Sequence, residues 1–444
     1  MVHRTNLATI RPSGYSTKLH IPTEPWALRD FPSSVSIFDG SGNEVAETDY
    51  TYDQTSVSSA SAVQHDEANF GSGSPAPRGN LTTVRRRCLQ SGTDAVTTYT
   101  YDETGQMLTE TDPCGNATCS GMTGSNHTTT FSYADNFAAG TGSPSGSTNG
   151  FITSVTKPSV NGVSFVTRYQ WGYADGKLRR ATDENGNITT YCYLVGGCNG
   201  NSTDPWVRLT QIINPDQGGT SVSYVDTGSS PSTTTATLLT SGQSITKTTV
   251  FDGIGHPIQT QLTSDPDGTD YVDMTYDGEG RNWTTSNPYR AKSDSTYGIT
   301  TFTYDTLGRK LSEQEPGSGI NPLQWIYTGN MVDAYDEIGL HAQRFSDGLG
   351  RLTQVLEQDG TSNYTATPSM STTYSYNTLG NLLSVTQHGN GTWSARTRSF
   401  KYDSLSRLLQ TQNPETGTIC YGQWSAGGVG SGNCQNGYDA NGSS

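Results

Sequence analysis

The chain has 444 residues, only 31% of them hydrophobic, with 51 glycines and 41 acidic against 26 basic side chains for a formal charge of −15. Scattered acidity with a single short basic cluster, Arg85-Arg86-Arg87, argues against nucleic acid or an anionic membrane surface as partners. An ordinary globule of this length buries a richer core, and without an 18-residue apolar run no helix can span a bilayer. Disorder is the other reading of low hydrophobicity. The 24 Tyr, 11 Phe and 7 Trp, set in alternating register, speak against it.

Residues 1–30, with Pro12, Pro22, Pro25 and Trp26, read as an irregular lead-in. A first region, 31–133, opens with a hairpin at Phe38-Asp39-Gly40-Ser41-Gly42. Tyr52-Asp53 begins a second unit whose turn is replaced by a long polar insertion. That insertion ends at Pro75-Ala76-Pro77, and Gly79-Asn80-Leu81-Thr82 resumes the return strand. The Tyr101 hairpin follows, and 134–150 (ADNFAAGTGSPSGSTNG) reads as a flexible Gly/Ser loop. From 151 to 444 runs the main array. Tyr173 to Leu178 is a shortened turn within it, 226–244 a second Ser/Thr/Gly-rich insertion, and the hairpins lie closest together after Lys247. No segment keeps a 3.6-residue period, so almost no helix is expected.

The stretch Thr300 to Gln314 shows the unit most plainly. Thr301, Thr303 and Asp305 alternate with Phe302 and Tyr304, placing both aromatics on one sheet face. Asp305-Thr306-Leu307-Gly308 supplies a type I turn closed by a left-handed glycine, and Lys310 to Glu313 return. The pattern aromatic–Asp/Asn–x–x–Gly recurs at Phe38, Tyr101, Phe251, Tyr276, Tyr304, Tyr335, Tyr376 and Tyr438, where composition alone gives roughly 0.5 copies. Thr182 and Ser346 replace the aromatic in two worn copies, and Ser406 replaces the glycine after Tyr402-Asp403.

The residues that make these turns are Tyr101, Asp102 and Gly105; Phe251, Asp252 and Gly255; Tyr276, Asp277 and Gly280; Tyr304, Asp305 and Gly308; Tyr335, Asp336 and Gly339; and Tyr376 with Gly380. Each Asp can accept from a backbone N–H two residues on, which makes it a folding residue and not a ligand. Gly280, Gly308, Gly350 and Gly380 are expected at positive φ.

Tyr-Asp-x-x-Gly-Arg/Asn followed by Leu resembles the YD repeat of the RHS family. Its members include bacterial polymorphic-toxin carriers, wall-associated proteins, insecticidal toxin-complex shells and the animal teneurins. The resemblance runs from about Phe38 to Tyr438. It implies an all-β fold, an array of antiparallel β-hairpins forming a curled sheet or partial hollow shell. It also implies a longer RHS polypeptide with a C-terminal effector domain as partners, and a secreted or cell-surface location. Tyr438-Asp439-Ala440-Asn441-Gly442 opens a repeat just before the last residue, so the chain is expected to be part of a longer protein. Shell-type relatives carry a motif resembling P-x-x-x-x-D-P-x-G-L before a self-cleaved junction. Asp112-Pro113-Cys114-Gly115 and Asp265-Pro266-Asp267-Gly268 lack its flanking Pro and Leu, so self-cleavage does not carry over.

Other residues bear on chemistry. Six of the seven cysteines form close pairs, Cys114 with Cys119, Cys192 with Cys198 and Cys420 with Cys434, read as disulfides, as free thiols or, though without C-x-x-C spacing, as metal ligands, with Cys88 left over. The seven histidines stand singly without metal-ligand spacing, and His65-Asp66 is the one His–carboxylate neighbour pair. Asp265, Asp267, Asp270 and Asp273 are the densest carboxylate patch; an acidic turn and a calcium site are the two readings. No nucleophile motif is present, so no catalytic residue, cofactor or metal is assigned. Two functions fit: a non-catalytic shell around an effector, or a surface adhesin binding cell-surface glycans through Trp171, Trp206, Trp283, Trp325, Trp393 and Trp424.

Overall fold

The computed structural model describes residues 31–89, 92–117, 119, 127–200, 202–240, 242–317, 319–358, 368–389, 394–421, 434, 438 and 441, and the backbone of strands Thr9–Ile10 and Ser16–His20. These residues are nearly all β. Thirty strands follow one another in a single antiparallel meander, each paired with its neighbours in sequence. Helix is confined to Glu67–Phe70, Pro113–Asn116 and a 3-10 turn at Gly197–Asn199. Among the described residues no helix is long and apolar enough to cross a membrane.

Period-two alternation shows directly in Leu323–Thr328, whose residues are half-buried and exposed in strict turn. Few side chains are deeply buried. The accessible surface is 26331 Å2, against about 16,000 Å2 for a compact monomer of this mass. The body is a thin sheet with two open faces.

Two expectations change. The Ser/Thr-rich stretch 226–244 is no insertion: Ser232–Thr240 and Gln243–Phe251 are the sheet's longest neighbouring pair, nine residues each. Its run of threonines is β-branched, and Thr234 and Thr248 bond through their hydroxyls across the ladder. The eleven signatures, eight full and three worn, imply some twenty-odd strands, and the described residues form thirty. Pairs such as Leu323–Thr328 and Met331–Tyr335 add to that number because Gly329-Asn330 turns them without the signature.

The sheet curls back on itself. Leu89 N–H donates to Ser404 Oγ at 3.0 Å, Ser404 Oγ–H to Arg87 O at 3.2 Å and Arg86 Nη2 to Leu405 O at 3.3 Å. Cys114 N–H likewise reaches Asn441 Oδ1 at 2.9 Å. The strands in between carry roughly 110 Å of sheet width, the girth of a ring roughly 35 Å across. Twist drives the curl, since a long antiparallel sheet cannot stay flat. Contact is through a hairpin tip against strand ends, so the ladder itself stays open.

Candidate functional site

Among the described residues the repeated turn carries a polar assembly that recurs along the sheet. At Asp305 the backbone N–H pairs with Arg309 O at 2.9 Å, and Gly308 N–H donates to Asp305 O at 3.1 Å. Gly308 sits at φ +80°, and Gly280, Gly350 and Gly380 at +76°, +78° and +87°. One carboxylate oxygen accepts from the N–H groups of Leu307 and Arg309, both at 2.9 Å. The other accepts from Arg309 Nε at 2.6 Å. Partial burial pushes the Asp305 carboxyl up, yet those donors outweigh it and hold the group below its ordinary range. Asp277, Asp347 and Asp403 repeat the arrangement with Arg281, Arg351 and Arg407.

The tyrosine serves the hairpin before its own. Tyr304 OH donates to Asn282 O at 2.9 Å, and Arg281 lies over the Tyr304 ring at 5.0 Å. Tyr327 does the same to Lys310 O under Arg309, and Tyr376 to Leu352 O under Arg351. Tyr438 holds Leu408 O under Arg407, and Tyr276 holds Pro257 O with His256 stacked at 4.5 Å. Tyr101 grips Leu81 O, 20 residues back. Each hairpin is thereby clamped by the next. The spans range from 15 residues (Tyr224 to Leu209) to 30 (Tyr438 to Leu408), so the clamp bridges loops of different lengths. Arg281, Arg309 and Arg351 after their turn glycines are visible in sequence; their tyrosine partners, one hairpin further on, are not.

A hidden copy appears at Asp204-Pro205-Trp206-Val207-Arg208. Asp204 accepts from Trp206 N–H, Arg208 N–H and the Arg208 guanidinium, and Arg208 lies 3.9 Å from the Tyr224 ring centre. Those donors, the Arg208 side chain foremost, lower the Asp204 carboxyl to about 2. Val207 occupies the glycine place at φ +52° and Thr203 the aromatic place, and with both positions changed the pattern misses the copy. Tyr335 departs differently: it stacks on His341 at 4.3 Å and bonds Asp333 within its own hairpin.

Two turns are buried. At Asp403-Ser404-Leu405-Ser406 the tip residue Leu405 is 8% exposed, against 77% for Leu307 at the same place, because it docks on the strand ends at 86–89. Asp102-Glu103 lies under the insertion 53–80. Glu103 accepts from Ser59 Oγ and the N–H groups of Ala60, Ser61 and Ser72. Burial raises its carboxyl, and these donors more than reverse that, to about 2.

Asp53 anchors the other end of the insertion, accepting from the N–H groups of Arg78, Gly79 and Asn80. The loop 134–150 is fastened too, by Ala138 N–H to Trp171 O and by Asn149 Nδ2 to Asp102 Oδ2.

The remaining candidates fall as follows. Disulfides join Cys114–Cys119, Cys192–Cys198 and Cys420–Cys434, with Cα separations of 5.5, 4.9 and 5.3 Å. In the acidic patch Asp265 and Asp270 share Arg290 and Asp273 pairs with Lys292, two cations against four carboxylates. Arg85 and Arg87 both pair with Asp94, and Arg87 also with Asp49. Trp171 packs on Phe151 and donates to Ile152 O, and Trp325 is half-buried under Lys310. Trp206 and Trp283 are 72% and 52% exposed. Trp393 and Trp424 lie outside the described residues. A cleft of about 630 Å3 between Ala138–Gly142 and Tyr191–Leu194 includes Arg179 but no histidine in its lining. One cluster escapes sequence reasoning altogether. His65, Glu67 and Glu103 come together across the insertion, and nothing in their spacing announces it.

No protein-family model matches the chain, and no curated protein matches it. Among solved structures it is similar to the crystal structure of TcdB2-TccC3-TEV, at 14% identity and a TM-score of 0.46, over 94% of this chain and 21% of that one. It is similar to TcdB2-TccC3 without its hypervariable C-terminal region at 12% identity and a TM-score of 0.32, over 91% of this chain and 27% of that one. The Photorhabdus luminescens Tc holotoxin pore is matched at 12% identity and a TM-score of 0.31, over 91% of this chain and 26% of that one. The chain therefore spans roughly a fifth to a quarter of the length of each solved chain.

Proposed function

We propose that this chain is a non-catalytic structural element, part of an RHS-type β-shell that encloses or presents an effector domain on a longer secreted polypeptide. The observation that carries this reading is the return of the 403–405 tip onto residues 86–89, which turns a meander into a wall around a space. Clamped turns suit a wall, because they fix each hairpin to the next without demanding a deep core. Small-angle scattering on the purified chain tests the hollow form. A compact body of 444 residues has a radius of gyration of about 22 Å, and a curled wall exceeds it. A value at or below 22 Å refutes the shell. Limited proteolysis of the full polypeptide from its locus tests the cargo: a downstream domain should resist cleavage until the wall is breached.

A second reading, a wall-associated adhesin that binds cell-surface glycans, draws on the exposed rings of Trp206 and Trp283. Glycan-array binding that Trp206→Ala or Trp283→Ala abolishes would favour it. Silence on the array would remove it.

A further inference from the structure

We propose that His65, Glu67 and Glu103 form a zinc site that pins the insertion 53–80 onto the Tyr101 hairpin. One ligand atom from each residue lies within 4.8 Å of the others, and His65 Nδ1 is 3.0 Å from Glu67 Oε1. Tetrahedral zinc, with N and O ligands at 2.0–2.2 Å, sets its ligands about 3.4 Å apart. Glu67 is exposed and can move onto an ion, whereas Glu103 is fixed by its four donors. Three of those donors converge on Oε1. Oε2 takes only Ser72 N–H at 2.8 Å and keeps a lone pair for a metal.

Charge supplies the second argument. Glu103 is 2% exposed, and among the described residues no Lys or Arg forms an ion pair with its carboxylate. Arg78, the nearest candidate, turns its guanidinium to the main-chain carbonyls of Glu103, Phe70 and Gly71 instead. The four donors to Glu103 are neutral, so its carboxylate and that of Glu67 leave net negative charge in the cluster that a dication offsets. One imidazole beside two carboxylates suits zinc better than calcium, which takes oxygen ligands throughout. Three protein ligands leave one position for water. The site joins the short helix Glu67–Phe70 to a hairpin turn more than 30 residues away, so the ion would act as a clasp.

The test uses the whole chain, stripped with chelator, dialysed against zinc and analysed for bound metal, beside thermal melts with and without zinc. The wild type should retain one zinc per chain and melt at a higher temperature with it. Glu67→Gln, at an exposed position, and His65→Ala, checked for folding by circular dichroism, should each drop retention to near zero and lose the zinc-dependent shift. Zinc retained equally by both folded variants, or none retained by the wild type, overturns the proposal.

Discussion

Tyr304 and Asn282 are 22 residues apart and belong to successive hairpins, yet the tyrosine hydroxyl donates to the asparagine carbonyl at 2.9 Å with Arg281 roofing the ring. Tyr304→Phe removes the donor and leaves a half-buried carbonyl without it, a loss of about 1–2 kcal/mol. A cycle pairing Tyr304→Phe with Arg281→Ala should show coupling, read from urea unfolding of the four proteins. Strict additivity would mean that the ring and the guanidinium stabilise independently.

Val207 sits at φ +52° in a turn whose other copies use glycine. A β-branched residue there is strained, so Val207→Gly should stabilise the chain by about 1 kcal/mol despite glycine's greater freedom in the unfolded state. Gly308→Val, the reverse change in an ordinary copy, should cost roughly 1–2 kcal/mol or more. An added Cβ at Gly308 meets nothing within 4 Å, so that cost is purely conformational. Equal melting temperatures for wild type and both variants would refute the strain argument.

Leu405 and Leu307 occupy the same turn position with 8% and 77% exposure. Leu405→Ala should therefore cost about 2–3 kcal/mol, and Leu307→Ala no more than about 0.5. Similar costs at both sites, measured by thermal melting, would deny that the sheet curls back upon itself.

Glu103 titrates at about 2 in the folded chain, below the ordinary value of 4.5. Because the folded pKa is depressed, its contribution is complete above about pH 4.5 and fades as pH falls towards 2. The insertion 53–80 should accordingly become sensitive to an acid-active protease within that window. Glu103→Gln should be sensitive already at neutral pH, since an amide cannot replace all four acceptor contacts. Unchanged cleavage from pH 6 to pH 2.5 would remove Glu103 as the anchor.

Non-reducing peptide mapping of exported protein should link Cys114 to Cys119, Cys192 to Cys198 and Cys420 to Cys434. Alkylation of all six thiols in freshly prepared material would contradict the pairing.

The sequence alone determined the hairpin. Alternation, an Asp that caps its own turn and a glycine able to take positive φ are local requirements, settled within five residues at Tyr304 to Gly308. The strands of 226–244 escaped notice because threonine-rich composition signals loop and strand alike; only pairing with neighbours decides. Val207 hid a turn because tertiary contacts from Arg208 and Tyr224 hold a conformation that its own backbone resists. What tertiary structure alone decided is every relationship between hairpins: the Tyr clamp, the docking of Leu405 and the meeting of His65 with Glu103. Each joins residues across loops of irregular length, and the distance between them is set by sheet twist and curl, quantities that no single segment encodes.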